Sequence, residues 1–269
     1  MKVKVCMMNS PFRDLLEEVK FASENGFDGF ELVFEYPLST PEQILTKKKQ
    51  LLDTFSTCNL VRLAHTPTFV DICNFYEGLR EASLQETVKA INVAYELEVR
   101  LLTVHPGLPL FPPPLKEKIF QNAVQSLKKL LAKAEDYDMV LCVENLPSGF
   151  FPSAEHFTRV KQFEDLFSQV ESDRLSLVLD VSHAYLRGSD QPQKFINELY
   201  DRMAHVHVSD NLGERDDHLP LGAGRTDYKT PLKELAKKGY NKTITLEIFA
   251  IDRDYLLLSK SKVKELFET

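Results

Sequence analysis

The sequence predicts an α/β protein built as one closed (β/α)₈ barrel over residues 1–269. Three observations lead there. Apolar, β-branched runs recur near 3–8, 28–34, 60–65, 100–105, 139–144, 175–180, 203–209 and 243–249, each followed by an amphipathic stretch of helical period. Eight strand–helix repeats of roughly 34 residues fit a closed barrel, which commonly takes about 250 residues, better than an open doubly wound sheet. No linker or low-complexity segment divides the chain, and the proline-rich stretch from Leu108 to Pro114 is a short loop between periodic segments.

Each element carries its own signals. The first helix is expected to open after Ser10-Pro11 and close at Asn25-Gly26; the second opens at Thr40-Pro41; the seventh opens at Thr230-Pro231 and stops at Gly239. The third and fourth strands end in His65 and His105. Alternate side chains of a barrel strand face the interior while the others meet the helices. In the fifth strand Met139, Leu141 and Val143 face out, leaving Val140, Cys142 and Glu144 inside. The sixth sets Leu175, Leu177 and Leu179 against Ser176, Val178 and Asp180. The seventh sets Val206 and Val208 outside, with His205, His207 and Ser209 inside. The eighth sets Ile244, Leu246 and Ile248 outside, with Thr243, Thr245 and Glu247 inside.

Composition removes several function classes. With 43% hydrophobic and 27% charged residues, the chain can bury a large core, which excludes disorder. No apolar run approaches the ~18 residues a spanning helix needs, and the strand-like start is unlike a secretion signal, so a soluble, cytoplasmic protein with no membrane partner is expected. Cys6, Cys58, Cys73 and Cys142 form no Cys-x-x-Cys pair, so a bound metal must use nitrogen and oxygen. A net charge of -7 gives no general attraction to nucleic acid.

Six consecutive strands therefore finish on a nitrogen or oxygen donor at the carboxyl edge, where barrel enzymes keep their active sites. Burying three carboxylates around one axis is costly unless cations neutralise them, and a divalent ion is the simplest compensation. Imidazole with carboxylate favours zinc, manganese, iron or cobalt over calcium. Loop candidates are His183, in Asp180-Val-Ser-His183, and Asp216-Asp217-His218. His156 reads as a residue at a helix start, and His205 as a core histidine one layer below the site.

His65-Thr66-Pro67, Val104-His105-Pro106-Gly107, Val143-Glu144-Asn145, Asp180-Val-Ser-His183, His205-Val-His207-Val-Ser-Asp210, the loop from Asp217-His218 to Gly222-Ala-Gly224, and Leu246-Glu247 occur in that order. As a set they resemble the xylose isomerase-like TIM-barrel superfamily, which holds sugar isomerases, epimerases and endonuclease IV. The resemblance to the sugar enzymes implies one ion, zinc or manganese, held by Glu144, Asp180, His207 and Glu247. It implies a small polyhydroxylated carbonyl substrate, proton transfer between Glu144 and Glu247 through an enediolate, and His183 on the substrate hydroxyls. The resemblance to endonuclease IV implies up to three zinc ions at an abasic DNA phosphate. His65, His105 and Glu144 would hold one; Glu144, Asp180, His207 and Glu247 a second; His183, Asp216 and His218 the third.

The departures favour the sugar enzymes. Endonuclease IV usually carries a DNA-contacting tyrosine three residues after the strand-three histidine, where this chain has Thr68. Phe150 or Phe151 is expected over the site, as an apolar lid on a sugar or as a wedge into unstacked DNA, Asn145 is expected to touch substrate, and Phe12, Phe34 and Tyr36 to line the mouth. Gly222-Ala-Gly224 lacks the full phosphate-loop spacing and reads as a turn. Lys47-Lys48-Lys49, Lys128-Lys129 and Lys237-Lys238 read as solvated helix faces. The reading leaves room for a homo-oligomer.

Overall fold

The computed structural model describes residues 2–108, 115–147 and 156–268. Its strands are β1 (Lys4–Met8), β2 (Gly29–Val33), β3 (Val61–His65), β4 (Leu101–Val104), β5 (Val140–Glu144), β6 (Leu175–Asp180), β7 (Met203–Val208) and β8 (Thr243–Leu246). All pair in parallel in chain order, and β1 pairs with β8 to close the barrel. Closure leaves no open sheet edge.

Among the described residues ten α-helices surround the strands: α1 (Leu15–Glu24), α2 (Pro41–Thr46), α3 (Lys48–Cys58), α4 (Glu77–Glu96), α5 (Lys116–Asp136), α6 (Val160–Gln169), α7 (Val181–Leu186), α8 (Gln191–Leu199), α9 (Lys229–Lys237) and α10 (Asp254–Glu268). Thr40 caps α2 through a reciprocal box with Gln43, as its Thr-Pro signal predicts. The first helix differs from expectation. It begins after Asp14, whose carboxylate accepts the amides of Leu16 and Glu17, and not after Ser10-Pro11, which lie in a turn. An ionised cap that takes two amides outcompetes a proline signal. The seventh expected helix starts slightly early, at Lys229, and Gly239 follows it at φ +76°.

The strand alternation holds. Leu177 and Leu179 are fully buried under the helical layer, each contributing roughly 1.5–3 kcal/mol of apolar burial. The inward row is polar: Glu31, Thr103, Glu144, Asp180, His205, His207 and Thr245 are also fully buried. Gly29 is required where β1, β2 and β3 crowd, since a Cβ there would sit 2.6 Å from Cys6 Sγ and 2.9 Å from the Val61 carbonyl. A register shift at Leu177/Val178 brings Asp180 level with His207.

Candidate metal centre

Four strand ends converge first. β5 delivers Glu144, β6 delivers Asp180, β7 delivers His207, and the backbone just past β8 delivers Glu247. Their donor atoms lie within 4.8 Å of one another. His207 Nδ1 is 3.3 Å from Glu144 Oε1 and 3.0 Å from Glu247 Oε2. Two further groups adjoin this one. His65 Nε2 and His105 Nε2 each lie 3.2 Å from Glu144 Oε2. Asp216 Oδ2 sits 2.9 Å from His183 Nε2 and 2.7 Å from His218 Nε2. The structure thus brings together all nine expected donors, in the three groups implied for a three-ion site.

The histidines are oriented from behind. His65 Nδ1 is 2.6 Å from the Thr66 carbonyl, His183 Nδ1 2.9 Å from the Asn145 carbonyl, and His218 Nδ1 3.1 Å from the Glu247 carbonyl. A carbonyl can only accept, so each Nδ1 donates and each Nε2 faces the site, able to give a lone pair to an ion once its proton is displaced. His207 is turned the other way. Its Nε2 lies 3.1 Å from both Glu31 oxygens, so its Nδ1 is the donor atom. Glu31 also faces His205 Nε2 at 3.0 Å and accepts from Thr103 Oγ1 at 3.0 Å. Glu31 is the functional residue that the strand-end pattern missed. Its signal was present: an acid on the inward side of β2, between buried Phe30 and Leu32. His205 is the buried core histidine expected one layer down, its Nδ1 donating to Thr243.

The loop after β7 is held by Asp210. Its carboxylate accepts the amides of Gly222 (2.8 Å), Gly224 (3.0 Å), Thr226 (2.8 Å) and Asn211 (2.8 Å). The Gly222-Ala-Gly224 amides therefore serve a turn around an internal carboxylate, as the missing phosphate-loop spacing implied. A Cβ on Gly224 would lie 2.3 Å from the Asn211 carbonyl. His218 is carried at φ +48°, a backbone region costly for a non-glycine residue, and is fixed by the Phe249 amide on its carbonyl at 3.0 Å.

Other expectations are corrected. Asn145 spends its side chain on the backbone of Asp180, donating to its carbonyl at 2.9 Å and accepting its amide at 2.8 Å, so it ties β5 to β6 where substrate contact was expected. Phe34 is buried at the end of β2 and does not line the mouth, whereas Phe12 and Tyr36 are exposed. His156 is buried ahead of α6 and not at its start. Phe150 and Phe151 lie outside the described residues. The lysine pairs behave as solvated faces, Lys48 with Glu96, Lys129 with Glu81 and Lys237 with Glu234.

The carboxylates and imidazoles of the cluster shift one another strongly. Burial alone would raise Glu144, but the charge of His207 and hydrogen bonds from His105, His207 and His65 hold it well below the usual carboxylate range. Burial likewise opposes the protonation of His183 and His207, yet neighbouring carboxylates lift both well above the normal imidazole value. His218 is carried to about 9 against burial by Glu247 and Asp216. Asp180 goes the other way: burial, with Glu144, Glu247 and Asp216 nearby, pushes its carboxyl up to about 7 despite His183. Asp180 Oδ2 and Asp216 Oδ1 are buried without a hydrogen-bond partner among the described residues. Orphaned carboxylate oxygens beside imidazole lone pairs fit a divalent ion bound through nitrogen and oxygen.

The family model of the xylose isomerase-like TIM barrel matches residues 19–265. The chain belongs to this family. Within the reach of this barrel family, an uncharacterised protein of Methanocaldococcus jannaschii is 29% identical over 262 residues, covering 94% of this chain and 85% of that one. Fructoselysine 3-epimerase of Shigella flexneri is 24% identical over 239 residues, 84% of this chain and 82% of the relative. A probable endonuclease 4 of Thermotoga petrophila is 23% identical over 197 residues, 68% and 67% of the two chains. The crystal structure of a D-tagatose 3-epimerase-like protein superposes with a TM-score of 0.83 at 24% identity, covering 99% of this chain and 97% of that one. No helix among the described residues is long and apolar enough to cross a membrane.

Proposed function

We propose that this protein is a cytoplasmic, single-domain, divalent-metal-dependent isomerase or epimerase of sugars or sugar phosphates. The observation that carries the reading is the placement of Glu144 and Glu247 together at His207 Nδ1, at 3.3 and 3.0 Å, in one buried cluster with Asp180. Similarity to a fructoselysine 3-epimerase and to a D-tagatose 3-epimerase-like fold supports it. Glu144, Asp180, His207 and Glu247 would hold the ion, with zinc and manganese suited to such donors. An ion bound there supplies a Lewis acid for the substrate carbonyl and its neighbouring hydroxyl.

The chain's own groups then do the proton work. Glu144 and Glu247 are both ionised at neutral pH, because nearby imidazoles outweigh the effect of burial. One carboxylate removes the proton from the carbon between carbonyl and hydroxyl, giving an enediolate; the other, after taking a proton from solvent, delivers it to that carbon, and the first then releases its own proton to solvent. His183, anchored through Nδ1 by the Asn145 carbonyl, offers Nε2 to a substrate hydroxyl. The test is solvent-deuterium exchange into a ketose. Glu144→Gln and Glu247→Gln are each expected to lower exchange by about 10²–10⁴-fold in folded protein, and exchange that survives in both variants would remove this acid–base pair.

A second reading rests on a separate observation, the complete His65–His105–Glu144 and His183–Asp216–His218 groups beside the shared cluster. Three zinc ions held there would suit hydrolysis of a phosphodiester at an abasic site in DNA. Against it stand the net charge of -7 and the helix lysines already paired with carboxylates. Zinc stoichiometry together with cleavage of an abasic duplex decides between the two.

A further inference from the structure

A cavity of about 520 Å³ opens beside the metal-ligand cluster, between the chain that leaves β1 and the chain that follows Glu247. Its walls include Met8, Pro11, Phe12, Phe249, Ile251 and Leu256, and Arg13 and Arg253 also line it. Its wall meets the candidate centre through Phe249 and through Ile248, which follows Glu247. Phe249 stands 4.4 Å, ring to ring, from His218, and its amide bonds the His218 carbonyl at 3.0 Å. The cavity volume falls in the range of about 300–1,000 Å³ that holds drug-sized ligands, more space than a lone monosaccharide fills. Three apolar side chains on its rim are strongly exposed, Phe12 at 76%, Phe249 at 61% and Ile251 at 94%. Exposed apolar groups gathered at one mouth mark a binding surface more often than an inert one.

The two guanidinium groups differ. Arg253 is committed internally, ion-paired with buried Glu18 at 2.6 Å and lying 4.4 Å over the Phe21 ring. Arg13 forms no ion pair within 4 Å among the described residues, though its charge partly offsets the burial that raises the carboxyl of Glu18, which also lines the cavity; its Nη2 donates to the Ile251 carbonyl at 2.6 Å, which holds the group at the cavity wall. A guanidinium fixed by one carbonyl keeps other N–H donors for an oxyanion.

We propose that this cavity is the second half of the substrate site and takes an apolar arm ending in an anion, carboxylate or phosphate, which Arg13 binds. Resting on the isomerase or epimerase reading, this makes the substrate a conjugated ketose, with its sugar at the Glu144–Glu247 cluster and its arm along Phe12 and Phe249. Arg13 is then the specificity-determining residue.

Binding is measured without turnover, by calorimetry on the zinc-loaded protein, with 4-phenylbutanoate, 4-phenylbutyl phosphate and the neutral 4-phenylbutanol as probes. At least one anion is expected to bind tighter than the alcohol, and Arg13→Gln to weaken that anion by about ten- to hundredfold without changing the melting temperature. The anion that binds better identifies the terminal group. Equal binding of anions and alcohol, or an anion indifferent to Arg13→Gln, overturns the proposal. In a second arm, deuterium exchange is compared between fructose and fructose carrying a carboxylate-terminated aryl arm. A lower KM for the conjugate supports the proposal, and a KM no lower than that of fructose overturns it. Exchange into neither ketose defeats the epimerase reading, while Arg13-dependent anion binding still establishes the anion site.

Discussion

His207 can give a cation only one lone pair, so its other ring nitrogen must be occupied and its tautomer fixed. Glu31 does this from inside the barrel, with both oxygens 3.1 Å from His207 Nε2, and is itself steadied by Thr103. Glu31→Gln preserves size but halves the acceptors and removes the charge. Divalent-metal affinity is expected to fall by about 10- to 100-fold, read by titration calorimetry or by zinc retained after dialysis; unchanged affinity would show that His207 is oriented by something else. Glu31→Ala is expected to destabilise the fold by roughly 3–5 kcal/mol, because it strands His205 and His207 in the core. The six strand-end donors were legible in the sequence because a barrel's carboxyl ends face one mouth, whereas His183, Asp216 and His218 were loop candidates whose place beside them only the family resemblance implied. Glu31 was not read because it sits mid-strand in β2, where a supporting residue leaves no mark except an acid among apolar neighbours. Asn145 departs from expectation for a related reason: an amide beside a ligand strand serves substrate or backbone equally well in sequence, and the paired bonds to Asp180 show it serving the backbone.

At the scale of elements, β6 and the short helix α7 form one device. Asp180 ends the strand and caps the helix, its Oδ1 accepting the His183 amide at 2.6 Å while Oδ2 stays unbonded among the described residues. One carboxylate thus starts the helix and offers the centre an oxygen. Because burial lifts Asp180 to about 7, its ionised form is disfavoured in the metal-free fold. A raised carboxyl pKa contributes stability below the unfolded value near 4, and that contribution is lost as pH rises through about 7. Asp180→Asn keeps the cap and removes the charge, so at pH 8 it is expected to melt higher than metal-free wild type while losing metal affinity. Asp180→Ala loses the cap as well and is expected to fall about 0.5–2 kcal/mol below the asparagine variant. Thermal unfolding of the three proteins in chelator checks this order, and an asparagine variant no more stable than wild type would mean the charge is satisfied within the protein. Strand and helix identities were legible because their periods are local. The first helix's start was displaced because Asp14 binds two amides, and the fold of the loop after β7 was hidden because one carboxylate, Asp210, gathers amides from far along the chain.

Across the whole molecule, the closed barrel concentrates six of seven histidines and five carboxylates at one end of its axis. Without an ion, protons on the imidazoles balance the carboxylates, which is why His183, His207 and His218 are all lifted, His218 to about 9. Metal and protons therefore compete for the same lone pairs. The sign follows from each state. A histidine raised to about 9 stabilises the metal-free fold below its unfolded value near 6.5, and that stability is lost as pH climbs through about 9. Asp180 changes stability in the same direction around about 7. Metal-free protein is thus expected to melt progressively lower between about pH 6 and 9, while metal affinity rises because fewer protons need displacing. The gap in melting temperature between zinc-loaded and chelator-treated protein is expected to widen across that range, since a tighter ligand stabilises more at fixed concentration. Calorimetry in two buffers of different ionisation enthalpy counts the protons, and at pH 7 zinc binding is expected to release them. A gap that narrows with pH, or binding that releases no proton, would mean the imidazoles are already neutral. The carboxylates would then need the ion itself, and the barrel mouth would be a site that folds only when loaded.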